Sequence, residues 1–198
     1  MSFFDRIHMV IKMIVSKSEM MEKSIEMFKE HGYEQVSIPM ICKQFGVTKG
    51  SFYHHFKSKG DLLLQWVIEH YSKIESGFYH DDSLSDYENY RKKQMVWAAF
   101  LNRLGRDFSL STLKVILDYS KNPELYSALE LSRIHSLDAS YVQRLQEQEL
   151  VTSVYSAEEL VRCYTEMVLG VTIEWQLTKN DFNVIDRIQF IFDFVYRK

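Results

Sequence analysis

Apolar residues recur three and four positions apart through almost the whole chain, the period of a helix with one buried face. Cap signals cut that pattern into about nine predicted helices. The first carries Met20, Met21, Ser24, Met27 and Phe28 and stops at His31-Gly32. Ser37 caps a second, with Pro39 tolerated in the first turn, where backbone N–H groups have no helical acceptor. Gly46 ends it, and Thr48 caps a short third helix reaching about residue 55. Ser58 with Asp61 opens a fourth and Ser85 with Glu88 a fifth, each an oxygen followed three residues later by an acid suited to the positive helix end. A sixth spans roughly residues 110–120. Asn122-Pro123-Glu124 starts a seventh, with Leu125, Leu129, Ile134, Leu137, Tyr141 and Leu145 near one face. Ser156 with Glu159 caps an eighth, and a ninth covers about residues 182–196. The expected fold class is all-α.

Composition agrees, because seven Gly and two Pro leave little turn material for a many-stranded sheet. Cys42 and Cys163 stand far apart with no metal or redox spacing, so both read as small core residues in a reducing, cytoplasmic setting. The apolar stretch at residues 3–15 is interrupted by Asp5, Arg6, His8 and Lys12 and is too short to span a membrane. Within it Phe4, Ile7, Ile11 and Ile14 have helical spacing. Residues 1–16 therefore read as an extension: either an amphipathic arm, with Arg6 and Lys12 able to reach DNA, or residues ahead of a start at Met9 or Met13.

Net charge is −3, which does not suit a nucleic-acid binder, but its distribution does. Residues 40–60 carry Lys43, Lys49, Lys57, Lys59, His54 and His55 and no acid, while the remainder holds the acidic excess. The same segment has the pattern of a helix-turn-helix, whose second helix enters a major groove. Gly46 supplies the turn, and Ile38, Ile41, Phe45, Val47, Phe52 and Phe56 the joining faces. Thr48, Lys49, Ser51, Tyr53 and His54 supply a polar outer face, and Gly50 lets the helix sit close to base edges.

The runs Ile25-Glu-Met-Phe-Lys-Glu-His-Gly-Tyr33, Val36-Ser-Ile and Phe45-Gly-Val-Thr-Lys-Gly-Ser-Phe-Tyr-His-His-Phe-Lys-Ser-Lys-Gly-Asp-Leu62 resemble, in order and spacing, the N-terminal signature of the TetR family. The resemblance implies a homodimeric regulator with a three-helix DNA-binding head, residues 17–60, and a ligand-binding and dimerisation body, residues 61–198. It implies that Thr48, Lys49 and Gly50 approach bases of double-stranded operator DNA, that Tyr53, His54 and Lys59 hold phosphates, and that Ser37 assists. Repression, and release by a small effector, are what such a regulator does by default.

The body carries no ligand-specific motif. Its aromatics, among them Trp66, Tyr71, Phe78, Tyr79, Tyr119 and Tyr141, read first as core, with His70 and His135 as titratable anchors. Trp97, Phe100, Tyr126 and Tyr164 are the expected lining of a mostly apolar effector pocket. The ninth helix is apolar nearly all round and so needs two partners, its own body and a second subunit. The expected dimer interface is Tyr164, Met167, Gly170 and Val171 with Val184, Ile188, Ile191 and Val195.

Enzymatic chemistry finds no support. Gly46-Val-Thr-Lys-Gly50 superficially fits a nucleophile elbow, but the strand and sheet that an elbow needs are not predicted. His54 and His55 diverge on a helix and lack further ligands, so no metal, cofactor or catalytic residue is expected. No membrane partner is expected either. The competing class is a helix-turn-helix used as a protein-interaction module without DNA, which salt-dependent DNA binding would separate from a regulator.

Overall fold

The computed structural model describes residues 15–77, 80–119, 131–178 and 182–197, and among them every regular element is an α-helix. In chain order these are α1 (Lys17–His31), α2 (Ile38–Phe45), α3 (Lys49–His55), α4 (Lys59–Ser76), α5 (Asp86–Leu104), α6 (Arg106–Tyr119), α7 (Leu131–Glu147), α8 (Ala157–Leu177) and α9 (Val184–Tyr196). Residues 1–14, the Asn122-Pro123-Glu124 start, Phe78, Tyr79 and Tyr126 lie outside the described residues, as do the side chains of Tyr119, Ile134, His135 and Leu137.

Packing divides the chain into two units, Met1–His70 and Tyr71–Lys198. In the first, α1 begins at Ser16, whose Oγ accepts the Glu19 N–H at 3.1 Å, and buries Met20, Met21, Ile25 and Phe28. Ser37 caps α2, and Gly46 ends it in the left-handed region at φ 65°, where a Cβ would be strained. Val36, Ile41, Phe52 and Phe56 are buried, while Ile38, Phe45 and Val47 are half-buried. The Cys42 thiol donates to the Thr48 carbonyl at 3.6 Å, tying α2 to the start of α3, and burial pushes that thiol up despite nearby Lys49. The α4 start differs from a capping box. Ser58 Oγ accepts the Asp61 N–H at 3.0 Å, but the Asp61 carboxylate accepts the N–H of Lys57 at 2.7 Å and the Gln65 amide at 2.9 Å.

The first unit continues past Gly60 because α4 is held to α1. Trp66 Nε1–H donates to Glu22 at 3.0 Å, and the His70 ring lies 3.3 Å from the same carboxylate. Lys29 sits over the Trp66 ring at 5.0 Å. Trp66 and His70, expected in the body, thus pack within the first unit.

In the second unit α8 packs against α7, α9 and α6, and α9 against α5. Ser85–Glu88 and Ser156–Glu159 form reciprocal capping boxes at α5 and α8, and their hydrogen bonds hold both glutamates below the usual carboxylate range. Gly105, at φ 77°, ends α5 and lets α6 start at Arg106, earlier than the periodicity suggests. The core joins Tyr90, Val142, Leu145, Val161, Tyr164 and Phe192. Among the described residues no helix is long and apolar enough to cross a membrane.

Candidate nucleic-acid interface

The helix α3 has two unlike faces. Phe52, with Phe56 just beyond it, is buried, and these two rings anchor the helix. Thr48, Lys49, Gly50, Ser51, Tyr53 and His54 are exposed, so the expected reading surface is brought together on one side. The Tyr53 hydroxyl is carried outward on a ring packed edge-on to Phe52 at 5.6 Å. A Cβ built on Gly50 would meet only Thr48 Oγ1, at 3.5 Å, an ordinary contact. The fold therefore does not require glycine there.

Two of the expected contacts also act as caps. Thr48 Oγ1 accepts the Ser51 N–H at 3.2 Å and lies 3.1 Å from Ser51 Oγ. Ser37 Oγ accepts the Met40 N–H at 3.4 Å. A hydroxyl that accepts from a backbone N–H keeps its own hydrogen to donate, so capping and contact with an anion are compatible.

Lys59 is held by the head itself. Its Nζ donates to the carbonyls of Tyr33 at 2.7 Å and Val36 at 3.0 Å and lies 4.1 Å from the centre of the Tyr33 ring. Burial pulls this ammonium below the usual lysine range, opposed by Glu34. It clamps the turn between α1 and α2 rather than facing outward to a phosphate. Lys43, Lys49 and Lys57 remain the exposed cations of residues 40–60. Among the described residues no group of three or more His, Cys, Asp or Glu could hold a metal.

The residues expected to line an effector pocket separate into two clusters. Trp97 and Phe100, on α5, pack with Tyr71, whose ring lies 5.1 Å from Trp97 and 6.0 Å from Phe100. Tyr164 instead joins Phe192 and Tyr196 of α9, at 5.8 and 5.4 Å. Tyr90 donates to the Tyr196 hydroxyl at 3.3 Å and stacks on Tyr141 at 5.1 Å. Burial raises Tyr90, Tyr164 and Tyr196 well above the usual phenol range. Beside them the buried Asp138 takes Lys93 Nζ at 2.9 Å and Gln94 Nε2 at 3.1 Å.

The expected dimer residues are mostly turned inward. Val184, Ile188, Ile191 and Val195, with Tyr164 and Val171, are buried in their own subunit, and Ile188 is 0% exposed. Val184 and Ile188, both 0% exposed, have no surface left for a partner. The outer faces are carried by neighbouring positions: Leu169, Gly170 and Leu177 on α8, and Phe190 and Phe194, 57% and 68% exposed, on α9. Phe190 and Phe194 stack at 6.4 Å, with Arg187 over Phe190. Met167 is half-buried, and nothing lies within 4 Å of a Cβ built on Gly170. Cys163, expected in the core, is exposed on this side of α8 because it precedes the inward Tyr164 by one position.

Sequence reasoning missed a set of buried polar atoms. Ser109 Oγ on α6 and Thr172 Oγ1 and Gln176 Oε1 on α8 are buried without a hydrogen-bond partner. Each such atom costs about 1–3 kcal/mol. Ser109 and Thr172 sit on helical faces otherwise read as apolar, and the only signal was a polar residue out of phase with its neighbours.

These features define an all-helical protein with a helix-turn-helix head and a separate helical body. Residues 21–65 match the sequence profile of the family described as bacterial regulatory proteins, tetR family. That match covers the head alone, and there the chain is similar to the TetR family. An HTH-type transcriptional regulator of Staphylococcus aureus (strain bovine RF122 / ET3-1) is 32% identical over 77 residues, 38% of this chain and 42% of that protein, so the chain matches less than half of that relative's length. The Thermus thermophilus TetR-family repressor FadR, solved in complex with lauroyl-CoA, shares the fold at a TM-score of 0.72 with 17% identity, over 91% of this chain and 93% of that one. A putative transcriptional regulator from Saccharomonospora viridis in complex with choline does so at 0.71 with 21% identity, over 90% and 94%.

Proposed function

We propose that this protein is a transcriptional repressor that binds operator DNA as a homodimer and is released by a small, mostly apolar effector. The observation that carries the reading is the outer face of α3, where Thr48, Lys49, Gly50, Tyr53 and His54 stand exposed on a helix anchored by Phe52. Lys49 and the Thr48 hydroxyl suit base edges, and Gly50 allows close approach. Tyr53, His54 and the Ser37 hydroxyl suit phosphates, with Lys43 and Lys57 adding charge.

A two-fold operator needs two heads, and the unpartnered stripe of Leu169, Gly170, Leu177, Phe190 and Phe194 supports pairing with a second copy through α8 and α9. Relatives in fold have been solved with lauroyl-CoA and with choline, which supports a ligand-binding role for the second unit without selecting a ligand. The helix α4 begins in the first unit and ends in the second, so it is the covalent path for coupling. An effector acts only by binding the DNA-incompetent arrangement more tightly, and operator DNA then weakens effector binding by the same factor.

The test is retention of native genomic fragments by the purified protein at physiological salt, followed by a salt titration. A regulator retains a few specific fragments with an affinity that falls steeply as salt rises. Retention of none, or of all fragments equally, overturns the reading.

A further inference from the structure

Resting on the reading that the second unit binds an effector, we propose that the seam between α6 and α8 receives its polar group, and that this group is uncharged and both donates and accepts hydrogen bonds, as a hydroxyl or amide does. The two helices pack against each other, and Arg106 of α6 lies over the ring of Trp175 of α8 at 5.6 Å. That contact sets the register. Ser109 lies one turn beyond Arg106 on the same face of α6, and Thr172 one turn before Trp175 on the same face of α8. Gln176 follows Thr172 by four residues and shares its face.

Ser109 is 2% exposed and Thr172 7%, and neither hydroxyl uses the carbonyl four residues earlier, the usual outlet for such a side chain in a helix. Thr112, one position in register beyond Ser109, does use it, donating to Phe108 at 3.0 Å. Among the described residues of the second unit the buried unpartnered atoms all lie on these two helices, and the remaining one, Ser24 Oγ, belongs to α1 of the first unit. Each hydroxyl can donate or accept, and Gln176 adds a carbonyl oxygen that accepts. The three unpartnered groups are all uncharged. An ammonium placed against them would lose its hydration beside the like charge of Arg106, and a carboxylate would find the seam's cation already engaged over the Trp175 ring, which selects against charged groups.

The probes are four six-carbon molecules that differ in one end: hexanol, hexanamide, hexanoate and hexylammonium. Each is titrated calorimetrically into the full chain, wild type and the variants Thr172→Val, Thr172→Ser and Ser109→Ala, with DNA retention measured on the same samples. Hexanol and hexanamide should bind roughly tenfold or more tighter than the charged probes. Thr172→Val and Ser109→Ala should each weaken hexanol by roughly three- to tenfold, and Thr172→Ser should restore it. The ligand-free thermal midpoint of Thr172→Val should equal or exceed that of wild type, because a partnerless hydroxyl gives way to a methyl of similar size. The inference is overturned if hexanol fails to bind, if charged probes bind as well, or if the variants keep wild-type affinity. It is also overturned if Thr172→Val lowers the ligand-free midpoint, which would mean that water already satisfies the hydroxyl. Any of these with DNA retention intact leaves the regulator reading standing, whereas loss of DNA retention in the wild type removes that reading instead.

Discussion

Substituting Lys59 separates a clamp from a DNA contact. In Lys59→Ala the carbonyls of Tyr33 and Val36 lose a charged donor at 2.7 and 3.0 Å, and the Tyr33 ring loses the cation over its face. A hydrogen bond to a charged group contributes about 1.5–3 kcal/mol, so two such bonds set an upper bound near 6 kcal/mol. Lys59 is only half-buried, so water reaches the freed carbonyls and the loss shrinks to roughly 2–3 kcal/mol. For a chain of this length that corresponds to a fall in thermal midpoint of roughly 5–10 °C. The assay is thermal and urea denaturation followed by circular dichroism, with a salt titration of operator binding on the same preparations. Lys59→Met is the companion variant, since it keeps the apolar stem and removes only the donors. It should lose nearly as much stability as Lys59→Ala. If instead both variants melt with wild type while the salt dependence of DNA binding flattens by about one charge per subunit, Lys59 faces phosphate in solution and the clamp assignment is wrong.

Lys49→Ala should leave stability unchanged and alter preference at one or two operator positions by about 1–3 kcal/mol, read by competition with operator variants; unchanged preference would remove Lys49 from the base-reading set. Gly50→Ala should melt no lower than wild type, since its Cβ meets only Thr48 Oγ1 at 3.5 Å and alanine favours helix, yet operator affinity should fall; full affinity would show that nothing approaches this position closely. Phe190→Asp and Phe194→Asp should keep their helical circular dichroism and scatter light as single 23.6 kDa chains, where wild type should scatter at about twice that mass; Ile188→Asp should unfold, because it buries an unpaired charge at a 0% exposed site. Tyr90, Tyr164 and Tyr196 keep their protons in the folded state because burial raises them, so their contribution to stability is complete below about pH 10 and is lost as pH climbs beyond it. Their ionisation, followed by ultraviolet absorbance, should coincide with loss of helix, and full titration of all twelve tyrosines before unfolding would contradict the burial.

What the sequence disclosed and what it hid follow from the range of the interactions concerned. Helix starts are set by contacts three residues apart, so Ser37, Thr48, Ser85 and Ser156 could be read directly, and the observed caps use those oxygens. The outer face of α3 was equally legible, because Phe52 and Phe56 can turn inward only by turning Lys49 and Tyr53 out. Lys59 was not legible. Its partners lie more than twenty residues away in sequence, and a flexible four-carbon stem can point toward solvent or toward a carbonyl without any change in pattern. The ninth helix failed for a different reason. When apolar residues occupy nearly every position, periodicity no longer says which face meets the home subunit, and only packing against α5 and α8 assigns Ile188 inward and Phe190 outward. The same ambiguity hid the α6–α8 seam. A single Ser or Thr within an apolar stripe reads as a satisfied helix residue, and it becomes informative only when the carbonyl four residues back proves unused. Short-range chemistry therefore specifies the head and the exposed face of α3. Which long-range partners the polar atoms of the body have or lack is set by packing between distant helices, and that was the part the chain could not announce by pattern.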